Sequence, residues 1–270
     1  MDGLGQEQAA YRTVKVRRDG EVCYLQMHRP QAGNAINDTL LAECRTVLDA
    51  CSSWAKVLVL EGLPEVFCSG ADLHDVAHTA PGRGVAERNA QALYDLWLQF
   101  KRGPFISIAH VRGKVSAGGV GFAAACDLVL CEESAAFSLP ELLFGLMPAC
   151  VLPFLAARVG AARAHRMALT TQPVNAAQAL SWGLVDFCGE SSANLLRVHL
   201  LRLRLISRHA IVRYKRYSAS LDGTLEAARE AAVTGNAAVF TDPHTLAGIQ
   251  HYAATGAYPW EVAVPSTREE

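Results

Sequence analysis

The sequence predicts an α/β protein, a parallel sheet wound with helices and followed by a helical C-terminal part. Three observations carry this. Short apolar runs recur in the first half, at residues 56–60 (KVLVL), 105–110 (FISIAH) and 127–131 (DLVLC). A run without polar alternation marks a strand buried on both faces, as in parallel sheets. Segments of helical period separate these runs, which is the order of right-handed strand–helix–strand crossovers. From Glu141 onward the helical period dominates.

The elements follow in order. Residues 1–10 read as a loose tail. Residues 11–16 (YRTVKV) and 21–27 (EVCYLQM) meet through Arg18-Asp19-Gly20, and Asp-Gly between two such runs predicts a hairpin. Residues 30–35 form a loop. Asn37-Asp38 can cap a helix whose apolar positions, Leu40, Leu41, Cys44, Val47 and Leu48, fall at helical spacing. Residues 62–72 are a glycine-containing loop and 80–84 (APGRG) a polar stretch. Residues 85–101 are helical, with Leu93, Leu96, Trp97 and Phe100 on one face. The glycine-rich segment 113–121 feeds an alanine-rich helix through Ala125. Further helices are expected over 150–159, 161–169, 175–181, 192–204, 207–220 and 225–240, the last capped by Thr224. The organisation is then a tail (1–10), a core (11–195), a C-terminal helical region (196–262) and a polar tail (263–270).

Composition narrows the function classes. The chain has 270 residues, enough for one large domain or a domain with an appendage. Hydrophobic residues make up 51% and charged residues 19%, which excludes global disorder. Lys+Arg is 25 against Asp+Glu 26, a net charge of −1, and a nucleic-acid-binding protein usually carries a basic excess. No uncharged apolar run reaches the ~18 residues of a membrane span. The start, MDGLGQEQAAYRTVKV, lacks the apolar core of a secretory signal, so a cytoplasmic location is expected. The 8 cysteines are scattered without a CxxC pair and read as buried thiols. No Cys/His quartet has ligand spacing, so no metal is expected.

Two glycine-bearing loops each follow an apolar strand: residues 67–72 (FCSGAD) and 115–119 (VSAGG). Neither is a dinucleotide fingerprint or a P-loop. What they offer is backbone, because glycine lets the chain approach a ligand and point N–H groups outward. The second loop opens a helix, whose free N-terminal N–H groups favour an anion. Two loops presenting one N–H each would make an oxyanion hole.

These residues carry a resemblance to the crotonase (enoyl-CoA hydratase/isomerase) superfamily. His28-Arg29-Pro30 with Asn34-Ala35-Ile36-Asn37 resembles its entry loop, and residues 67–72 its F-[CS]-[AS]-G-[AG]-D loop. Residues 113–119 followed by Cys126-Asp127 resemble its triple-glycine segment, with Ala117 in place of the first glycine. Phe137 with Pro140-Glu141 and Gly145 resembles F-x-x-P-E-x-x-x-G, and residues 179–186 (ALSWGLVD) resemble A-x-x-x-G-L-V-[DN]. The resemblance implies a crotonase spiral of ββα turns, a C-terminal helical trimerisation region, and a trimer or dimer of trimers. It implies an acyl thioester substrate, with the enolate held by the backbone N–H groups of Ala71 and Gly118. Preorganised donors of that kind are worth on the order of 3–4 kcal/mol each in the transition state. Gly70, Asp72, His74 and Gly119 are expected to line the substrate.

The acid/base residues discriminate further. Hydratases of this family carry two glutamates. The first position is Gly121 here, so only Glu141 remains. Its neighbours Leu139, Pro140, Leu142, Leu143 and Phe144 are apolar, and desolvation would raise its pKa toward the operating pH. The leaving hydroxyl would receive its proton from Glu141 itself, a syn elimination, or from a second donor, with Asp72, His74, Asp75 and His244 as candidates and no choice among them. Residues 147–154 (MPACVLPF) resemble the dehydrating homologue of polyketide β-branching cassettes. That implies removal of water from 3-hydroxy-3-methylglutaryl held on an acyl carrier protein, giving 3-methylglutaconyl-carrier protein. No cofactor is implied beyond the phosphopantetheine of carrier or CoA. The distal carboxylate needs a partner, and Arg83, Arg88 and His78 are candidates. The basic run Arg202, Arg204, Arg208, Arg213, Lys215 and Arg216 would steer an acidic carrier protein, with Arg213, Lys215 and Arg216 the carrier- or CoA-binding candidates. Three other readings stay open: a hydratase or isomerase of CoA thioesters, the decarboxylating homologue of the same cassette, and a non-enzymatic carrier-binding protein of this fold.

Overall fold

A computed structural model describes residues 11–261. The expected tails at 1–10 and 263–270 lie outside the described residues. Strands β1 (Val14–Asp19) and β2 (Val22–Met27) form the antiparallel hairpin, Val16 opposite Leu25, with Gly20 in the left-handed region at φ 59°. Strand β2 then runs parallel to β3 (Val57–Glu61), and the sheet continues through β5 (Ile106–Val111), β7 (Leu128–Glu132) and β10 (Phe187–Gly189). Its order is β1-β2-β3-β5-β7-β10. A smaller sheet joins β4 (Val66–Cys68), β6 (Lys114–Ser116), β8 (Ala136–Ser138) and β9 (Val174–Asn175), the first three parallel.

The chain thus visits both sheets in every turn: β3 then β4, β5 then β6, β7 then β8. That is a spiral of ββα turns, and it explains the strand sequences. One face of β2, β3, β5 and β7 packs into the main core. The other, with Val22, Tyr24, Val57, Val59, Ile108 and Leu130, is covered by Leu196 and Leu200 of α8 (Ser192–Leu203). Both faces are buried, so the runs show no alternation. The second sheet was not legible, because strands of two or three residues carry no period.

The helices are α1 (Asp38–Cys51), α2 (Leu73–Thr79), α3 (Arg83–Arg102), α4 (Gly118–Ala125), α5 (Val151–Val159), α6 (Ala161–Thr170) and α7 (Ala176–Trp182), then α8. After it come α9 (Arg208–Leu221), α10 (Thr224–Phe240) and α11 (Pro243–Thr255). Asn37 caps α1 by accepting from the Leu40 N–H at 3.0 Å, and the expected apolar face of α1 is buried. Helix α3 runs along the core with Tyr94, Trp97 and Phe100 fully buried. The Tyr94 hydroxyl donates to the Leu225 carbonyl at 2.6 Å and ties α10 to α3.

Two expectations need correction and one gains detail. The boundary at 195/196 falls inside α8. Thr224 is not a cap: α10 begins on it, and the Asp222 carboxylate accepts from its N–H at 2.9 Å. Helix α11 falls within the expected helical region 196–262, which gave it no range of its own; Asp242 caps it through the Thr245 N–H at 2.8 Å and Pro243 occupies its first turn, a readable start signal. Among the described residues no helix is long and apolar enough to cross a membrane.

Candidate active site

The site is built where the two glycine loops meet. Ile36 forms a parallel bridge to Ala71: the Ile36 N–H donates to the Gly70 carbonyl (2.7 Å), and its carbonyl accepts from the Asp72 N–H (3.0 Å). A parallel bridge engages the residues on either side of its partner. The Ala71 N–H therefore points away from Ile36, and among the described residues no protein acceptor takes it. The entry loop holds this arrangement. Asn34 is fully buried, accepts from the Arg29 N–H (2.7 Å) and donates to the Phe67 carbonyl (3.1 Å). The Arg29 guanidinium pairs with Asp72 at 2.8 Å and also donates to the Ala35 carbonyl. Asp72 in turn caps α2 through the Asp75 N–H.

The second donor comes from α4. Ala117 sits at φ 51°, ψ −122°, a conformation that costs a non-glycine residue roughly 1–3 kcal/mol. Its N–H donates to the Ser138 carbonyl at 2.9 Å and its carbonyl accepts from the Val120 N–H at 2.9 Å. The strained torsion turns the next peptide, so that the Gly118 N–H leaves the helix start without a protein acceptor among the described residues. A Cβ on Gly70 (φ 95°) would lie 2.6 Å from the Ala117 Cβ, so the loops are in contact. Gly119 packs α4 on β4, since a Cβ there would lie 2.6 Å from the Cys68 carbonyl oxygen. Gly70 and Gly119 thus shape the donors and do not line the cavity.

Glu141 opens a short 3-10 turn, Glu141–Phe144, after Pro140. Its side chain is 8% exposed, and Oε2 has no hydrogen-bond partner. Burial among apolar neighbours pushes its pKa up to about 7, offset in part by its own backbone N–H. That provides a proton acceptor near neutrality.

Ala71, Gly118 and Glu141 line one cavity of about 260 Å³, and Met147, Pro148 and Cys150 of the distinctive 147–154 segment form part of its wall. The volume is near the small end of ligand pockets, which suits an acyl group. Asp72 and Asp75 reach the wall. His74 does not: it is exposed, and its carbonyl meets the His78 Nδ1 at 2.6 Å, which corrects its expected substrate contact. His244 is exposed at the start of α11. Neither His78, Arg83 nor Arg88 lines the cavity; Arg83 pairs with Glu87 along α3 at 3.0 Å. Among the described residues the cavity has no basic side chain, and besides Asn37, whose Oδ1 caps α1, its carboxamide donors are Asn89 of α3 and Asn236 of α10. Sequence reasoning missed both, because a lone Asn on a helix carries no motif.

The place of the absent second glutamate is filled. A Cβ on Gly121 would lie 2.2–2.7 Å from the Cη2, Cζ2 and Cζ3 atoms of Trp97. The basic run also divides. Arg213 and Arg216 are exposed on α9, but Lys215 is buried and its ammonium meets the Asp127 carboxylate at 2.6 Å. Lys215 therefore pins α9 to the strand after α4, and its expected place on a docking face is corrected. The 8 thiols are free, all buried except the half-buried Cys188.

Comparison with known proteins adds the following. The enoyl-CoA hydratase/isomerase family matches residues 17–262. Bacillaene synthase dehydratase PksH of Bacillus subtilis is 49% identical over 253 residues, 93% of this chain and 97% of that protein. The 2,3-dehydroadipyl-CoA hydratase of Escherichia coli is 30% identical over 229 residues, 84% of this chain and 88% of that protein. A crystal structure of the polyketide biosynthesis enoyl-CoA hydratase pksH from Bacillus subtilis superposes with a TM-score of 0.87 at 46% identity, covering 92% of this chain and all of that one. By its motifs, its two-sheet spiral and these matches, the chain belongs to the enoyl-CoA hydratase/isomerase family.

Proposed function

We propose that the protein dehydrates 3-hydroxy-3-methylglutaryl-acyl carrier protein to 3-methylglutaconyl-acyl carrier protein in polyketide β-branching. The observation that carries this is Glu141, the single buried carboxyl among the described residues, poised near neutrality in one cavity with Ala71 and Gly118. The likeness to a bacillaene synthase dehydratase at 49% identity supports it. The thioester oxygen sits between the two N–H groups, whose effect grows as the α-proton leaves. Glu141 takes that proton. The enolate electron pair forms the Cα=Cβ bond, the β C–O bond breaks, and the proton on Glu141 passes to the departing hydroxyl, giving water. One carboxyl thus serves as base and then acid, a syn elimination.

The distal carboxylate meets the neutral donors Asn89 and Asn236. No cofactor takes part, since the phosphopantetheine arm belongs to the carrier. Arg213 and Arg216 offer an exposed basic face for an acidic carrier protein in the cytoplasm. The exposed side chains of Tyr214, Tyr217 and Leu221 give α9 an apolar stripe suited to a trimer contact.

Intact-protein mass spectrometry of 3-hydroxy-3-methylglutaryl-carrier protein tests the reading. Loss of one water with the wild type, absent with Glu141→Gln, is expected. Loss of carbon dioxide from 3-methylglutaconyl-carrier protein without dehydration would make this the decarboxylating homologue. Turnover of simple enoyl-CoA alone would make it a CoA hydratase or isomerase.

A further inference from the structure

Trp97 has a polar atom that the fold leaves idle. Its side chain is fully buried, yet its Nε1 has no hydrogen-bond partner. A buried donor left unpaired costs the fold its full desolvation. Only three other buried side-chain atoms among the described residues share this state, and one is Oε2 of Glu141. Trp97 and Glu141 line the same cavity. The unpaired donor and the unpaired carboxyl oxygen therefore belong to two residues of one cavity wall.

The indole is held fast. It meets Phe122 edge-on at 5.7 Å (77°) and Phe154 at 5.6 Å (80°). Its Cζ2 lies 3.9 Å from where a Cβ on Gly118 would be, and Nε1 is two bonds from Cζ2. The ring thus flanks the residue whose N–H would hold the thioester oxygen. From that oxygen along the acyl chain, the next oxygen is the β-hydroxyl; the distal carboxylate lies two carbons further.

We infer that the Trp97 indole N–H donates a hydrogen bond to the β-hydroxyl oxygen of the substrate and holds it as the C–O bond breaks. This rests on the dehydratase reading above. Indole is a donor only, so it does not supply the proton. The proton that completes water comes from Glu141, and the pair of the C–O bond departs with the oxygen. The N–H stabilises the charge that gathers there and turns the hydroxyl toward the Glu141 carboxyl. The six-membered ring of Trp97 fills the space over Gly121, where the helix itself has no side chain.

The test uses Trp97→Phe and a protein with 3-benzothienylalanine at position 97, which replaces N–H by sulfur with little change of shape. Two rates are read for each. One is dehydration of 3-hydroxy-3-methylglutaryl-carrier protein. The other is α-deuterium exchange into 3-methylglutaryl-carrier protein, which has no hydroxyl to lose. Dehydration should fall at least about tenfold in both proteins, the loss of one hydrogen bond to a charge-gathering oxygen. Exchange should stay within about twofold of the wild type. Wild-type dehydration by the benzothienyl protein overturns the inference. So does a parallel fall in exchange, which marks a packing role. A wild type that exchanges but never dehydrates overturns the dehydratase reading, and with it this inference.

Discussion

A Cβ added to Gly121 would lie 2.2 Å from Cη2 of Trp97. The indole and the glycine are matched parts. Gly121→Ala should destabilise the protein by about 1–3 kcal/mol despite alanine's better helix propensity, because overpacking outweighs it. Phenylalanine lacks the outer ring atoms concerned, so the same change should cost less in a Trp97→Phe background. Urea unfolding of the two single variants and the double variant gives the coupling. Equal cost in both backgrounds would refute the match.

Glu141 predicts two pH dependences. As a base it must be ionised, so kcat/KM should rise through about pH 7 and level off above it. Stability moves the other way. The folded-state pKa is raised, so the contribution is fully present below the unfolded value and is lost as pH rises through about 7. The difference approaches about 3 kcal/mol at full ionisation. Glu141→Gln should therefore melt above the wild type at pH 8 and beside it at pH 5. Parallel melting curves at both pH values would contradict the burial of this carboxyl.

Ala117 should accept only glycine well. Ala117→Gly removes the strain of a positive φ but loosens the unfolded chain, so stability should change by less than about 1 kcal/mol. Ala117→Val should lose several kcal/mol and most activity, since a β-branched side chain resists this torsion and the Gly118 N–H would swing away. Thermal melts and turnover of the two variants decide it.

The basic helix should split in two. Lys215→Met leaves Asp127, which also accepts from the Ser107 N–H and hydroxyl, without its cation. A loss of up to about 3–5 kcal/mol is expected, reduced because Asp127 is partly exposed. Arg213→Ala and Arg216→Ala should leave stability within about 0.5 kcal/mol. They should raise the KM for carrier-bound substrate, an effect that salt mimics in the wild type.

Asn89 and Asn236 predict a specificity change. Asn89→Ala and Asn236→Ala should raise KM for the 3-hydroxy-3-methylglutaryl group more than for 3-hydroxy-3-methylbutyryl, which lacks the distal carboxylate. Equal effects on both acyl groups would remove these residues from carboxylate binding.

Much of this architecture was readable because its signals are local. The strands of the larger sheet announce themselves as unbroken apolar runs, and Asn37 and the Asp-Gly hairpin are positional chemistry. Ala71, Gly118 and Glu141 were legible through motifs of fixed spacing. Non-local facts were not. Nothing adjacent to Lys215 says that Asp127 waits 88 residues away, so a buried ion pair looked like a solvated charge. Trp97 read as one apolar member of a helix face; only packing against Gly121 reveals what its ring displaces. Asn89 and Asn236 come to one cavity from helices far apart in sequence. The joint between α2 and α3 is residues 80–82, two shorter than the polar stretch read at 80–84, because proline and glycine mark a turn without giving its length.

The burial of the thiols gives the protein an internal reporter of opening. Burial raises the pKa values of Cys44, Cys68, Cys126 and Cys150, so in the folded protein these four offer almost no thiolate to an alkylating reagent. These four stand in different layers: Cys44 in α1, Cys68 in β4, Cys126 at the end of α4 and Cys150 before α5. Labelling at any of them therefore times the excursion of its own layer. The order in which mass increments accumulate under native conditions would map which part of the spiral unfastens first.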